Sequence, residues 1–313
     1  MIVHSDVSAA AKRVADHVRR TPLLAVDPAP LAPAARMWLK LEMTQHTGSF
    51  KARGAFSHVL AARDSGRLPD TGIVAASGGN AGLAFAYAAS QAGVPAEVFV
   101  PETAPAVKVA RLHALGATVT QVGTRYAEAQ DAAAKYAADT GALYCHAYDL
   151  PEVCAGQGTL GLEILEQTGG EVDTVLLAVG GGGLMAGVAA ALDGRARVAG
   201  VEPELIPTLE RALHAGRPVG VDVSGVAADS LGASRLGDIA FAVASRTGVL
   251  PVLVTEEAIV EARRFVWDEY RLAVEHGTAA AVAALRSGAY RPSPGERVVV
   301  VLCGANTDPS DLV

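Results

Sequence analysis

Four short segments of the chain combine small, polar or nucleophilic residues that could bind a ligand or take part in a reaction. They are Thr47-Gly48-Ser49-Phe50-Lys51, Ser77-Gly78-Gly79-Asn80, Gly180-Gly181-Gly182-Gly183 and Cys303-Gly304-Ala305-Asn306. Each comes after a run of apolar residues that predicts a strand. In open α/β sheets, ligands bind beyond the carboxyl ends of the strands. These four segments are therefore the first candidates for a functional site.

The four consecutive glycines favour an anion site. They follow an apolar run at 174–179 and precede an alanine-rich helical segment at 184–192, so several backbone N–H groups are left without partners at the start of a helix. Glycine also lets the backbone approach a phosphate closely without help from Lys or Arg. The spacing matches neither a Walker loop nor a complete GxGxxG motif. A tight packing turn explains the glycines alone just as well.

Lys51 is a candidate nucleophile because it falls in the first turn of a helix predicted over 50–64. The helix dipole disfavours a cation at that end and helps to lower the pKa of an amine. A neutral amine can act as a nucleophile. An isolated lysine, however, is far more commonly an exposed surface residue. Lys51 gains significance only when it is considered together with the other three segments.

The elements that must position these residues alternate along the chain. Segments of helical period separate apolar runs that predict strands at 38–41, 73–76, 97–100, 118–122, 174–179, 198–201 and 298–302. This alternation is typical of an α/β fold with a largely parallel sheet. In the helix over 50–64, we expect Ser49 to be the N-cap and Gly66 to be the left-handed residue after the C-terminus.

Composition excludes several classes of protein. The chain has 313 residues, of which 50% are hydrophobic and 19% charged, so it is expected to fold as one large or two medium domains and is neither disordered nor fibrous. The net charge is −7, and Lys and Arg are scattered along the sequence. Neither a nucleic acid nor a membrane is therefore expected as a partner.

The cysteines and the N-terminus indicate a reducing compartment. Cys145, Cys154 and Cys303 form no CxxC pair, which argues against a disulfide framework or a zinc cluster. The first residues lack a basic stretch followed by an apolar run, as a secretory signal would have. We expect the protein to be cytoplasmic.

In their order along the chain, the four segments resemble those of the fold-type II pyridoxal-phosphate enzymes. The sequence from Thr47 to Gly54 is similar to the lysine motif of that family, and a Ser-x-Gly-Asn loop, a glycine tetrad and a Cys or Ser after the last strand follow in the family's order. The strongest resemblance is to the serine/threonine dehydratases, and it extends from about Thr21 to Asp308. Four ordered motifs are far more specific than any one of them.

The resemblance implies an α/β fold with two open, twisted, mostly parallel sheets that are flanked by helices. It also implies a large cofactor-binding domain formed by residues 1–45 and 146–313, and a small domain formed by residues 46–145. The site would lie in the cleft between them. By the same resemblance, and from the prevalence of symmetric oligomers, we expect a homodimer.

Each segment receives a role from the resemblance. Lys51 would hold pyridoxal 5'-phosphate as a Schiff base, Phe50 would pack against its ring, and Asn80 would bind its phenolic oxygen. Its phosphate would lie against the glycine segment and the residue after it, Gly180, Gly181, Gly182, Gly183 and Leu184. The substrate would be bound by the asparagine loop, which consists of Ser77, Gly78, Gly79 and Asn80.

Cys303 would face the ring nitrogen of the cofactor. A thiol has an ordinary pKa near ~8.5 and does not promote protonation of that nitrogen as a carboxylate would. The ring then remains a weaker electron sink, which favours rapid loss of a β-substituent over transamination. A small buried hydrophobic residue at the end of a strand is the alternative interpretation of Cys303.

The implied reaction is the dehydration and deamination of L-serine or L-threonine to a 2-oxo acid and ammonia. In this reaction Lys51, as a neutral amine, would remove the α-proton before the β-hydroxyl leaves. A serine racemase or a lyase for another β-hydroxy amino acid is an alternative. A non-catalytic protein that binds a phosphate metabolite is an alternative of another class, although mere binding would not need Lys51.

Three departures from the family pattern bear on the function. Racemases carry a serine at the position of Gly78, and because glycine cannot exchange a proton, dehydration is favoured. Some relatives bind a divalent cation through the Glu of Val-Glu-Pro and a later acidic residue, but Glu202 has Thr208 at that second position. We therefore expect no metal site, and Glu202, completed by Glu204 or backbone carbonyls, is the weak alternative. His276 replaces the usual proline after Glu275, a residue that family analogy places on the substrate side.

Overall fold

A computed structural model describes residues 1–312 as two β-sheets with helices packed on their faces. The strands are Leu23–Val26 (β1), Arg36–Lys40 (β2), Ile73–Ala76 (β3), Ala96–Val100 (β4), Thr118–Gln121 (β5), Leu143–Cys145 (β6), Thr174–Ala178 (β7), Arg197–Pro203 (β8), Leu250–Val254 (β9) and Arg297–Val301 (β10). The helices are His4–Val14 (α1), Lys51–Asp64 (α2), Asn80–Ala92 (α3), Ala106–Ala114 (α4), Tyr126–Thr140 (α5), Pro151–Gln167 (α6), Gly183–Leu192 (α7), Thr208–Ala215 (α8), Ala228–Leu231 (α9), Asp238–Thr247 (α10), Glu256–Tyr270 (α11) and His276–Arg286 (α12). Two short 3-10 helices, Glu42–Thr44 and His46–Gly48, precede α2.

The larger sheet has six strands in the order β1-β2-β10-β7-β8-β9. All neighbouring pairs are parallel except β1 and β2. The central strands β7 and β10 are buried along most of their length, which explains why both are nearly continuous apolar runs in the sequence. Because they are parallel, their carboxyl ends meet at one edge, where Gly180 and Cys303 follow.

The smaller sheet has four parallel strands in the order β5-β4-β3-β6. Strand β3 is central and completely buried, and it leads directly into Ser77 and the start of α3. The two sheets and their helices confirm the predicted α/β fold class.

The boundaries of the two domains stay a prediction. Most of the side chains that are buried around the smaller sheet come from residues between 46 and 145. Val14 of α1 and Val153 of α6 are nevertheless part of the same buried cluster, although both lie outside that range. No helix within residues 1–312 is long and apolar enough to cross a membrane.

The predicted cap of α2 is wrong. The helix begins at Lys51, its N-cap residue is Phe50, and the Ser49 hydroxyl has no hydrogen-bond partner among the described residues. The physical reason is that Ser49 is extended and pairs as an isolated bridge with Gly304. The end of the helix agrees with the prediction, since Gly66 has a left-handed backbone with φ 67°.

Candidate active site

The lysine segment and the cysteine segment are joined by backbone pairing. Ser49 forms a β-bridge with Gly304, and the N–H of Phe50 donates to the carbonyl of Cys303 at 3.0 Å. Because Cys303 follows β10, this pairing fixes the start of α2 at the carboxyl edge of the larger sheet. Gly48 has φ 77°, and a Cβ there would lie only 2.9 Å from Asn306 Oδ1, so the turn before Lys51 requires glycine.

The side chain of Lys51 is half-buried and its amine faces protein atoms. Lys51 Nζ donates a hydrogen bond to Ala147 O at 2.9 Å and lies 5.1 Å from the centre of the Phe50 ring. Burial lowers the pKa of Lys51 to about 8, against the opposing influence of Cys154, Cys303 and Glu275. A useful fraction of the amine is therefore neutral near pH 8 and able to act as a nucleophile or base.

The glycine segment presents free N–H groups at the start of α7. The N–H groups of Gly183, Leu184 and Met185 have no carbonyl partner within the part of the chain that the structure describes. The backbone of Gly182 is left-handed, with φ 85°, and a Cβ there would lie 2.5 Å from Ala240 Cβ. Unpaired N–H groups at a helix N-terminus bind anions, so this segment can bind a phosphate.

A two-residue link brings the amine and the glycine segment close together. Ala147 O accepts the hydrogen bond from Lys51, and the ring of the next residue, Tyr148, lies directly against Gly181. A Cβ at Gly183 would be 2.7 Å from Tyr148 O. The amine and the anion site therefore contact neighbouring residues of one short segment that follows β6.

Asn80 belongs to a polar cluster that spans the two sheets. Its Nδ2 lies 3.0 Å from both carboxylate oxygens of Glu275, and its Oδ1 accepts from Asn306 Nδ2 at 2.7 Å. The N–H of Asn306 also donates to Glu275 Oε1 at 2.8 Å. Burial raises the pKa of the Glu275 carboxyl. These contacts orient the Asn80 amide at the start of α3.

The asparagine loop opens onto a small cavity of about 30 Å³. Ser77 to Gly79 are half-buried, and no atom lies within 4 Å of the position that a Cβ on Gly79 would take. Lys108 of α4 and Asp229 of α9 also line the cavity and form an ion pair with each other. The remaining lining residues are Asn80, Leu83, Arg111, Ser230, Glu275 and Asn306.

A second, wider groove of about 920 Å³ lies between Glu204 and Arg235. Its lining includes none of the predicted site residues. We assign the candidate active site to the smaller cavity together with the lysine and glycine segments, because Asn306, which lines the cavity, donates to Thr47 O of the lysine segment at 2.7 Å.

Cys303 is buried beside Thr278, whose Oγ1 lies 3.2 Å from Cys303 Sγ. Burial raises the pKa of the Cys303 thiol to about 12. The thiol is therefore neutral at physiological pH and cannot act as an anionic partner for a ring nitrogen.

The structure brings most of the predicted site residues to one region. The lysine, cysteine, glycine and asparagine segments are connected by the contacts described above. Glu202 is the exception, because it is buried behind the glycine segment and is absent from the lining of the cavity. Tyr148 and Asn306 have contacts in the site to which the sequence analysis assigned no role. Tyr148 follows β6 closely, so a prediction of that short strand would have pointed to it.

The donor set fits pyridoxal phosphate. Lys51 supplies an amine for an aldehyde, and the N–H groups at the start of α7 suit a phosphate. Thr47 Oγ1 and Ser49 Oγ are buried close to Lys51 and have no hydrogen-bond partner among residues 1–312. Buried polar groups are normally paired, so these two hydroxyls are consistent with a polar ligand beside the amine.

Comparisons with known proteins agree with this geometry. The family model described as pyridoxal-phosphate dependent enzyme matches residues 14–304. L-threonine ammonia-lyase of Thermotoga maritima is 34% identical over 98% of this chain and 76% of its own length. Phenylserine dehydratase of Ralstonia pickettii is 36% identical over 95% of this chain and 90% of its own length. The solved structure of maize serine racemase has a TM-score of 0.92 and 29% identity, and covers 99% of this chain and 95% of its own.

Proposed function

Because the chain belongs to the pyridoxal-phosphate-dependent enzyme family, we propose that it removes water and ammonia from L-serine, L-threonine or a related β-hydroxy amino acid. The product is a 2-oxo acid. The observation that carries this proposal is the position of the Lys51 amine, enclosed beside Ala147 and close to the free N–H groups of the glycine segment. A protein that only bound a phosphate metabolite would not need this amine.

Lys51 is the proposed catalytic residue. When bound, pyridoxal phosphate withdraws electrons from the α-carbon of an amino acid and so makes its proton acidic. Lys51 would hold the cofactor, and its amine, once free, would take the proton from the α-carbon. The pKa near 8 suits this role, because the amine is largely neutral at slightly alkaline pH and still basic enough to accept a proton.

The other proposed site residues bind the cofactor and the substrate and orient them. We propose that the free N–H groups at the start of α7, including that of Leu184, bind the cofactor phosphate and that Phe50 packs against the ring. We also propose that the asparagine loop, of which Gly78, Gly79 and Asn80 line the cavity, binds the substrate carboxylate. Asn80 is oriented by Glu275 and Asn306 for a contact with the cofactor.

Cys303 favours elimination. Its thiol stays protonated at neutral pH, so it would supply no negative charge to the ring nitrogen of a bound cofactor. Such a ring would be a weaker electron sink, which would favour loss of a β-substituent. This agrees with loss of the β-hydroxyl as the main outcome.

A serine racemase is the second candidate function, and the similarity to the maize enzyme favours it. Racemisation needs a proton donor on the face of the α-carbon opposite to Lys51. Gly78 lines the cavity and has no side chain that could donate this proton, which supports elimination instead. A chiral assay for D-serine after incubation with L-serine separates the two functions, since accumulation of D-serine would favour the racemase.

A substrate panel tests the proposed function. Purified holoenzyme is incubated with L-serine, L-threonine, phenylserine and 3-hydroxyaspartate, and 2-oxo acid and ammonia are measured in parallel. We expect the two products in equal amounts from at least one of these amino acids. Absence of 2-oxo acid from all four, with the cofactor still bound, would contradict the proposal.

We also propose a cytoplasmic homodimer, which light scattering should report as the mass of two chains.

A further inference from the structure

The Glu202 carboxylate is buried at the end of β8 and is held by donors from the start of α8. Glu202 Oε1 accepts from the N–H of Leu209 at 2.6 Å and lies 2.8 Å from Thr208 Oγ1. Glu202 Oε2 accepts from the N–H of Glu210 at 3.0 Å. The Glu202 side chain therefore accepts from N–H groups that would otherwise be unpaired at this helix N-terminus, although burial outweighs these donors and raises the pKa of Glu202 to about 7.

Thr208 connects this arrangement to the glycine segment. Its hydroxyl lies 2.6 Å from Gly180 O as well as 2.8 Å from the Glu202 carboxylate. A hydroxyl has one proton, so it donates to one of these oxygens at a time. Thr208 and Glu202 are both completely buried. The hydroxyl thus fills the space between a carboxylate oxygen and a carbonyl oxygen directly behind the anion site.

The residues around Glu202 do not fit a divalent cation. Mg²⁺ and Ca²⁺ require six or more oxygen ligands, supplied mainly by carboxylates, carbonyls and water. Here the oxygens of Glu202 face N–H and O–H groups, whose positive ends would repel a cation. The described part of the chain also contains no cluster of three or more His, Cys, Asp or Glu that could hold a metal ion.

We propose that Thr208 and Glu202 form a hydrogen-bonded brace that holds Gly180, and with it the phosphate-binding segment, without a divalent cation. This inference rests on the proposed function only in that the glycine segment binds the cofactor phosphate. Thr208 and Glu202 are positioning residues, because they act on the cofactor through Gly180. The brace occupies the position in which some relatives bind a divalent cation.

The first test removes and adds cations. Release of pyridoxal phosphate from the holoenzyme is followed by absorbance during dialysis against EDTA, MgCl₂ or CaCl₂. We expect the half-times of release to agree within about twofold, because the brace uses no cation. Release that is at least about tenfold faster in EDTA, and is slowed again by either salt, would overturn the proposal.

The second test changes the brace itself. Thr208→Val keeps the shape of the side chain but loses the hydroxyl, and we expect cofactor release to be about fivefold faster, as for one lost hydrogen bond. Thr208→Ser retains the hydroxyl and should restore the slow release. Thr140→Val is the matched control, because its hydroxyl also donates to a backbone carbonyl but lies on α5, away from the site. Unchanged release from Thr208→Val would contradict the brace.

A third variant converts the brace into a cation site. Thr208→Asp removes the O–H group that faces Glu202 and places a second carboxylate between Glu202 and Gly180 O, so that carboxylate and carbonyl oxygens would face a cation there. We expect fast cofactor release in EDTA and at least about fivefold slower release in CaCl₂ or MgCl₂. If this variant releases cofactor equally fast in all three buffers, the space does not have the geometry that we infer.

Cofactor release is measured without turnover, so the brace and the proposed reaction can fail separately. A holoenzyme that forms no 2-oxo acid but shows the expected response to Thr208 substitution would retain the brace and lose the function. Normal 2-oxo acid formation with no response to any Thr208 substitution would retain the proposed function and contradict the brace.

Discussion

Two regions of the molecule meet at the candidate site, and different interactions hold them in place. Helix α2, which carries Lys51, is anchored by buried charges: Arg53 binds Glu42 at 2.5 Å and Glu163 of α6 at 2.7 Å. The glycine segment is positioned by close packing against Tyr148 and by the Thr208 hydroxyl. Lys51, which must be a neutral amine to react, thus lies on a helix that buried ion pairs hold in place.

The pKa of Lys51 is low although the same helix carries the buried ion pairs of Arg53. Arg53, whose guanidinium is completely buried, binds the Glu42 and Glu163 carboxylates. The Lys51 amine donates to a carbonyl, and burial lowers its pKa to about 8 against the opposing influence of Cys154, Cys303 and Glu275. The glycine segment needs no counter-charge, because backbone N–H groups already favour an anion.

The largest expected effect is the loss of the amine itself. Lys51→Ala should lower the rate of 2-oxo acid formation by at least about a thousandfold, because the proposed mechanism uses this amine both to bind the cofactor and to remove the α-proton, while Lys108 at the cavity is paired with Asp229. Steady-state assays with the preferred substrate measure this. Lys135→Ala, which removes an exposed lysine of α5, is the control and should keep full activity. Substantial activity in Lys51→Ala would show that the reaction does not require Lys51.

The charged anchor of α2 should have the next largest effect. Arg53→Met leaves the buried Glu42 without its paired cation and removes one of the two cations that bind Glu163, and we expect the free energy of unfolding to fall by about 3–5 kcal/mol. Urea unfolding monitored by circular dichroism measures the change. Lys135→Met breaks only an exposed pair with Asp139 and should change stability little. If Arg53→Met is as stable as the native protein, buried charge does not anchor this helix.

The pH dependence of cofactor capture tests whether Lys51 is neutralised by burial. Below a pKa of about 8, the neutral fraction of the amine falls about tenfold for each pH unit. The rate at which apoprotein binds pyridoxal phosphate should therefore rise up to about pH 8 and then level off. Free Nα-acetyl-lysine serves as the reference and should continue to gain rate beyond pH 9. The same continued rise in the protein would show that burial does not lower the pKa.

A pair of glycine substitutions separates backbone strain from crowding in the second region. Gly182 and Gly216 both have positive φ angles, 85° and 66°, but only Gly182 has neighbours where a Cβ would be placed. Each change to alanine should cost about 1 kcal/mol of stability through the backbone. Only Gly182→Ala should also speed cofactor release, by about five- to tenfold, since a Cβ there would displace the segment from Ala240. Equal release rates in the two variants would show that crowding is irrelevant.

The sequence predicted the parts of the fold that have strong local patterns. The buried strands β7 and β10 are long apolar runs, and the segments after them contain the glycines and Cys303. Strand β6 has only three residues, and β9 contains a proline, so neither shows a clear period. The edge strand β1 is a run of only four apolar residues, Leu23–Val26, and it shows no alternation even though its centre is exposed. These three strands were missed for those reasons.

The contacts within the site could be predicted only in part. The order of the four motifs indicated the cofactor, as the family match confirms. The cluster of Asn80, Glu275 and Asn306 joins residues about two hundred positions apart, and no local pattern reveals such a contact. Ser49 looked like a helix cap, but its backbone is used to pair with Gly304. Tertiary pairing overrode the local preference at that residue.

The central claim is that one cofactor joins the Lys51 amine to the glycine segment. Reduction of the holoenzyme with sodium borohydride, followed by proteolysis and mass spectrometry, tests it directly. The account predicts loss of the visible absorbance band and a single peptide in which Lys51 carries the pyridoxyl group. A pyridoxyl group on Lys40, Lys108 or any other lysine, or no modified peptide at all, would contradict it.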